Sequence, residues 1–300
     1  MPRDPRDEGL LADLEPTAER LLDRHLALSK EWMPHEYIPW SLGRDFDKEP
    51  WTPDQVRLGG AARLALEVSL LTEDNLPSYH RQQFEALGRD GVWAAWSHRW
   101  AAEEARHSDV IRAYLLVTRN TDPAALERSR MATMQLGSLL PDKPALRTIA
   151  YAALQELATR ISYGNSGRFA EDPVADRIMG RLATEENLHM LFYRDVLTAA
   201  LALAPSPTVE AIAEEVIGFS MPGVGIPGFS DKARQLARAG IFNLRIHHDQ
   251  VLRPLLHHWA VFERSGLRPR AEQARERLAA HLARLDRLAA RFERAAAGAR

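Results

Sequence analysis

The 300-residue sequence predicts an all-α fold. Apolar residues recur at spacings of three and four along most of its length, and no alternating run of β-branched residues lies between hairpin turns. Alanine, leucine, arginine and glutamate dominate, and none of these resists a helix. The periodicity predicts helices near residues 15–29, 54–87, 90–118, 143–168, 172–203, 207–219, 231–260 and 270–297.

In chain order, the opening "MPRDPRDEGL" has no apolar core, so residues 1–14 are expected to form a flexible polar tail, not a signal peptide. No low-complexity linker divides the rest, and residues 15–300 read as one domain with core helices over about 54–203. The breaks "DKEPWTPD" (47–54), "RNTDPAA" (119–125), "LPDKPAL" (140–146) and "FAEDPVAD" (169–176) place prolines at or near new helix starts. "GFSMPGVGIPGFS" (218–230) is too rich in glycine and proline for a helix and is expected to be an ordered loop before C-terminal helices over 231–297. From Arg268 onward nine arginines face four acids, a solvated terminal helix or else a docking surface for an acidic partner.

The composition is 45% hydrophobic and 27% charged with a formal net charge of −2, which gives no overall footprint for nucleic acid. The longest apolar runs, such as "VLTAALALAP" (196–205), are too short to span a membrane, and a cytoplasmic protein is expected. With no cysteine, the chain itself cannot hold a disulfide, a thiolate haem or a cysteine-ligated iron–sulfur cluster.

Two of the eleven histidines follow a glutamate by three residues, in "EARH" (Glu104–His107) and "ENLH" (Glu186–His189). About one such match is expected by chance, so the pairs decide little alone. However, Glu73 in "LLTEDNLPSYH" lies 31 residues before Glu104, and Glu156 in "LQELATRIS" lies 30 before Glu186. The chain thus repeats a glutamate, a helical hairpin and Glu-x-x-His at an offset of 82 or 83 residues. Positions i and i+3 share a helix face, so each Glu-x-x-His can reach one metal. Four helices so arranged aim four carboxylates and two imidazoles at the middle of a bundle, the pattern of ferritin-like di-iron and di-manganese proteins. The expected architecture is a ferritin-like helical bundle with a central four-helix di-iron core and additional helices. Oxygen-rich ligation with one imidazole per metal suits iron or manganese better than copper.

Singly, Glu73 reads as a surface carboxylate and each histidine as a satisfied core imidazole. Yet Glu73 follows "ALEVSLLT" and Glu156 sits within "IAYAALQELATRIS", apolar settings where an unpaired carboxylate is costly and asks for a cation. Glu103 and Glu185 precede the candidate ligands and point about 100° away from them. They are either acceptors for the histidines' outer N–H groups or solvated charges, and Arg106 is open in the same way.

"LTEDNLPSYH", "WAAEEARH", "QELATRISYGN" and "TEENLHMLFY" together resemble the soluble acyl-ACP desaturases (ACP, acyl-carrier protein; fatty acid desaturase type 2), notably the actinobacterial branch related to plant stearoyl-ACP desaturases. The similarity runs from about Trp32 to "FSMPG". It implies six iron ligands, Glu73, Glu104, His107, Glu156, Glu186 and His189, around two iron ions that use O₂ as co-substrate. It also implies a threonine beside the oxygen-binding side, at Thr159, and a surface tryptophan for electron entry, at Trp32. Glu185 stands where the family has an aspartate bridging that tryptophan toward the cluster.

The implied activity is O₂-dependent introduction of a cis double bond into a saturated fatty acyl chain carried on acyl-carrier protein. Electrons would come from a ferredoxin or similar external donor, and the protein would be a homodimer. One departure is that the turns after Glu73 read His80, Arg81, Gln82, Gln83, Phe84 and Glu85, where the plant enzymes line an acyl channel with largely apolar residues. Either another face lines the channel, or the pocket is shaped for a different chain. The alternatives are a ferritin-like di-iron oxidase or hydroxylase, a non-catalytic acyl-carrier-protein-binding homologue, and a metal-free helical scaffold. A radical-generating ribonucleotide reductase subunit is disfavoured, since no tyrosine stands out beside the ligands.

Overall fold

A computed structural model describes the backbone of residues 5–297 and the side chains of residues 8–295. The chain is all-α, with no strand among the described residues. The central helices are α2 (Gly60–Glu73), α3 (Leu76–Leu87), α4 (Gly91–Val117), α6 (Ala145–Ala170) and α7 (Pro173–Leu203). Around them lie α1 (Pro5–Leu28), α5 (Pro123–Leu136), α8 (Pro205–Ile217), α9 (Phe229–Arg238), α10 (Leu244–Ile246), α11 (Arg253–His258) and α12 (Pro269–Ala297).

Two apolar clusters show how the bundle is built. One holds Trp93, Trp96 and Trp100 of α4, Ile149 to Ala158 of α6 and Met190 to Leu201 of α7. The other holds Leu66 and Leu70 of α2, Val110 to Leu115 of α4, Tyr163 and Ala170 of α6, and Ala175 to Leu182 of α7. Each of the long helices α4, α6 and α7 therefore crosses from one apolar cluster to the other. The segment each crosses with carries the Glu or Glu-x-x-His residues, so the polar side chains form a layer inside the core. The order of crossing makes α4 and α6 run one way and α7 the other.

The predicted helix 54–87 is two helices. It starts at Gly60 and breaks at Asp74–Asn75, with Pro77 in the first turn of α3, a position where a missing N–H is harmless. The break falls just after Glu73 and is bolted by Arg130 of α5, whose guanidinium pairs with the Asp74 carboxylate. Helix α5 itself was not expected. Its start is conventional: Pro123 follows Asp122, whose side chain accepts from the amides of Ala124 and Ala125. Asp172 caps α7 in the same way. Near that turn α6 and α7 come close, because a Cβ on Gly167 would lie 2.9–3.1 Å from Asp176.

The expected tail 1–14 is mostly helix instead, since α1 begins at Pro5; residues 1–4 lie outside the described residues. Leu11, Leu14, Ala18 and Leu21 form a stripe at helical spacing that buries against the tryptophans of α4. The expected helix 231–260 is interrupted. Gly240 takes φ 77° after α9, Asn243 caps a new start by accepting from the Ile246 amide, and His247–Leu252 forms a π-turn before α11. The segment 218–228 is an ordered loop, tied down by Tyr79 and Tyr151, which donate to the carbonyls of Pro222 and Ser220.

Candidate metal centre

Six side chains meet in the polar layer: Glu73 at the end of α2, Glu104 and His107 on α4, Glu156 on α6, and Glu186 and His189 on α7. All are buried, the two histidines completely. Donor atoms of Glu73, Glu104, His107 and Glu186 lie within 4.8 Å of one another, as do those of Glu104, Glu156, Glu186 and His189. Glu104 and Glu186 belong to both sets. His107 Nδ1 is 3.1 Å from Glu104 Oε2 and 3.3 Å from Glu186 Oε1. His189 Nδ1 is 3.0 Å from Glu104 Oε1 and 3.6 Å from Glu156 Oε2.

The inward nitrogen of each ring is selected from outside. His107 Nε2 donates to Glu185 Oε2 at 3.1 Å, and His189 Nε2 donates to Glu103 Oε2 at 3.0 Å. An ionised carboxylate only accepts, so Nε2 carries a proton and Nδ1 keeps a free lone pair directed at the cluster. Glu103 and Glu185 are thus buried acceptors behind His189 and His107, not solvated charges.

Each of these carboxylates is held in turn. Glu185 Oε1 accepts from Trp32 Nε1 at 2.7 Å, Arg106 Nη2 at 2.7 Å and Arg181 Nη2 at 3.0 Å. Glu103 accepts from His25 Nε2 at 2.8 Å and Ser29 Oγ at 3.0 Å, and pairs with Arg99. Glu185→Gln is expected to weaken metal binding by about 10–100-fold, measured by competition with a calibrated chelator.

Trp32, expected at the surface, is only 4% exposed. Tyr37 packs edge-on to its ring at 5.2 Å, and the guanidinium groups of Arg106 and Arg181 lie over it at 5.0 and 5.4 Å. A buried indole N–H needs an acceptor, and Glu185 provides it. Thr159 Oγ1 donates to Glu186 Oε2 at 2.9 Å from one turn beyond Glu156.

Three partners went unnoticed in the sequence. Trp100 Nε1 donates to Glu156 Oε1 at 3.0 Å, Tyr163 donates to Glu73 Oε1, and His25 donates to Glu103. A tyrosine therefore does touch the ligand set. Tyr163 follows Glu156 by seven residues on one helix face and Trp100 precedes Glu104 by four, so their spacing was a usable signal; His25 offered none.

Electrostatics and orphaned atoms test whether the residues fit a metal. Burial, and then repulsion from Glu104 and Glu186 respectively, push the Glu73 and Glu156 carboxyls well above their usual range. Glu104 is held low despite its burial, because His107 and His189 face it. Both imidazoles resist burial and are pushed up by the carboxylates around them. Glu103 is likewise held low against burial by its bonds from His189 and His25. Within the six-residue cluster, five buried atoms have no hydrogen-bond partner: Glu104 Oε1, His107 Nδ1, Glu156 Oε2, Glu186 Oε1 and His189 Nδ1. They belong to the two donor sets, which is the arrangement a pair of cations satisfies and hydrogen bonds do not.

Because ionised Glu156 is costly in the folded state without a cation, Glu156→Gln is expected to raise the metal-free melting temperature at pH 8. A rise of about 2–4 °C corresponds to 1 kcal/mol at this size. The same change should weaken metal binding, and differential scanning fluorimetry with and without chelator separates the two effects.

A pocket opens directly onto the centre. Glu73, Trp100, Glu104 and Glu156 line its metal side, and Leu76, Tyr79, Ala152, Leu140 and Pro222 line much of the remainder. Gln82 and Gln83 also face it, whereas His80 packs at a tilt against Phe84 and His98, and Arg81 pairs with Glu85 and Asp142. The polar turns of α3 thus contribute only Gln82 and Gln83, and further lining comes from Thr148, Tyr151 and Gln155 of α6, from Pro141 and Lys143 just before it and from Thr72 of α2.

A family model described as fatty acid desaturase matches residues 6–300. The chain is 41% identical over 299 residues to a Mycobacterium tuberculosis protein bearing the name acyl-ACP desaturase DesA1, covering 96% of this chain and 88% of that one. It is 28% identical over 312 residues to the seed-specific chloroplastic stearoyl-ACP 9-desaturase of Brassica napus, covering 95% of this chain and 76% of that one. The X-ray structure of a Mycobacterium tuberculosis protein bearing the name acyl-ACP desaturase DesA2 superposes with a TM-score of 0.73 at 27% identity, covering 89% of this chain and 99% of that one. Among the described residues, no helix is long and apolar enough to cross a membrane.

Proposed function

The chain belongs to the fatty acid desaturase family, and we propose that it desaturates a saturated fatty acyl chain carried on acyl-carrier protein. Five orphaned, buried donor atoms converging beside an apolar-lined pocket carry the reading. Two iron ions held by Glu73, Glu104, His107, Glu156, Glu186 and His189 would supply the reduction of O₂ and the oxidising power to take one hydrogen from each of two adjacent methylenes. The balance is one O₂, two electrons, two protons and the two substrate hydrogens to two waters and a cis double bond.

The chain's own residues do the rest. Leu76, Ala152 and Leu140 hold the acyl chain against the centre and exclude water from it. Trp100 and Tyr163 fix the carboxylates that face the pocket. Thr159 Oγ1, bonded to Glu186, is placed to hold a proton for oxygen reduction. The hydrogen-bonded chain Trp32–Glu185–His107 is the proposed electron route. The chain has no cysteine to hold an iron–sulfur cluster, so the donor is a separate protein of the ferredoxin type. The same reading takes the enzyme as a cytoplasmic homodimer.

The test supplies reduced ferredoxin, O₂ and acyl-ACP thioesters of varied length, with products analysed by mass spectrometry. A product two hydrogens lighter supports desaturation; one oxygen heavier would instead make the enzyme a hydroxylase. Ala152→Phe should leave metal content unchanged and cut turnover by at least about tenfold, about 1.4 kcal/mol in the barrier, because it fills the pocket while replacing none of the six proposed ligands.

A further inference from the structure

His25 lies in the last turn of α1, 78 positions from Glu103, and is 3% exposed. Its Nε2 is 2.8 Å from Glu103 Oε2, the oxygen that also accepts from His189 Nε2 at 3.0 Å. The rings of His25 and His189 stack with centroids 5.7 Å apart and 20° between planes, and Trp96 meets His25 edge-on at 5.1 Å. Ser29, one turn further along, holds the other Glu103 oxygen at 3.0 Å. The end of α1 thereby fixes the carboxylate that in turn fixes a candidate metal ligand.

From this geometry we propose that His25 is a positioning residue for the metal bound by His189, and acts on that metal alone. The proposal rests on the metal reading given above. A carboxylate behind a ligating imidazole sets its ring plane and raises its basicity, and losing such support typically costs 10–100-fold in metal affinity. The other half of the centre is built differently, because behind His107 the Glu185 carboxylate is held by Trp32, Arg106 and Arg181, with no second histidine on it among the described residues. The two halves match in their ligands but not in what stands behind them, so the two metal positions are inequivalent. Helix α1 belongs to the His189 half.

His25, Glu103 and His189 also place three donor atoms within 4.8 Å, a spacing that could take a third cation. The separations of 2.8 and 3.0 Å favour hydrogen bonds instead, each with a proton on the ring nitrogen.

The test titrates the metal-free, full-length chain with Co²⁺ without oxygen, following visible absorbance, alongside the metal-free melting temperature. Wild type should take two Co²⁺. His25→Phe keeps a ring but loses the N–H, and should weaken one position by about 10–100-fold while leaving the other unchanged. His25→Gln restores a donor and should recover most of that loss. Unchanged binding at both positions in His25→Phe overturns the proposal. So does equal weakening of both positions with a lowered metal-free melting temperature in both variants, which marks a merely structural residue. A third Co²⁺ in wild type that His25→Phe loses would replace the hydrogen-bonded role with a third metal site. A wild-type chain that takes no pair of Co²⁺ refutes the metal reading itself, and this proposal with it.

Discussion

Glu104→Ala is expected to abolish both metal binding and turnover. Glu104 contributes a donor atom to each of the two ligand sets, and its oxygens lie 3.1 and 3.0 Å from His107 Nδ1 and His189 Nδ1. Its loss therefore removes a ligand from both metal positions at once, and exposes two imidazoles to each other without the carboxylate between them. Metal content should fall from about two per chain to near zero, and activity by more than about a thousandfold. His189→Ala removes a terminal ligand from one position and should also end activity, with at most about one metal retained. Elemental analysis with a single-turnover assay measures both; a fully active variant would refute the ligand assignment.

Metal removal is expected to lower stability, and increasingly so as pH rises. In the metal-free protein Glu73 and Glu156 are held above the usual carboxyl range by burial and by neighbouring carboxylates, and His107 and His189 above the usual imidazole range by the carboxylates facing them. The stability contributed by protons on Glu73 and Glu156 therefore falls as pH climbs above the unfolded carboxyl value of 4.5, and that contributed by protons on His107 and His189 falls above the unfolded imidazole value of 6.5, in each case until the raised folded value is passed. Glu103, Glu104 and Glu185 are held low despite burial, and the stability they add is lost only as pH drops below the unfolded carboxyl value. With metal bound, cations take the place of those protons, and their affinity strengthens with pH. The gap between the metal-loaded and metal-free melting temperatures should thus widen from pH 6 to pH 8. At saturating metal it should reach on the order of ten degrees, from about 4 kcal/mol per site at a thousandfold excess over Kd and about 2 °C per kcal/mol. Melting curves with and without chelator check this, and a gap that narrows with pH would contradict it.

The clustering of the six candidate side chains was legible because its signal is local. Glu-x-x-His occupies one helix face, and the 82-residue offset between His107 and His189 repeats it. What surrounds the ligands was legible only in part. Trp100 and Tyr163 share helix faces with Glu104 and Glu156, but which carboxylate each meets depends on how the helices cross: Trp100 reaches Glu156, and Tyr163 reaches Glu73. His25 left no trace, because a helix read as beginning at residue 15 carried no reason to end beside Glu103. Among the helices, α5 was missed because "ERSRMATMQL" has a weak apolar stripe, with only Leu126 and Thr133 of the helix buried. The break after Glu73 was overridden by the apolar period on either side, although Asp74, Asn75 and Pro77 marked it.

The central claim is that four carboxylates and two imidazoles in this bundle hold a pair of iron ions. Elemental analysis of the protein after iron-replete expression tests it most directly. The structure predicts about two irons per chain, lost together in Glu104→Ala. A single zinc, or no stoichiometric metal in the wild-type protein, would contradict the account.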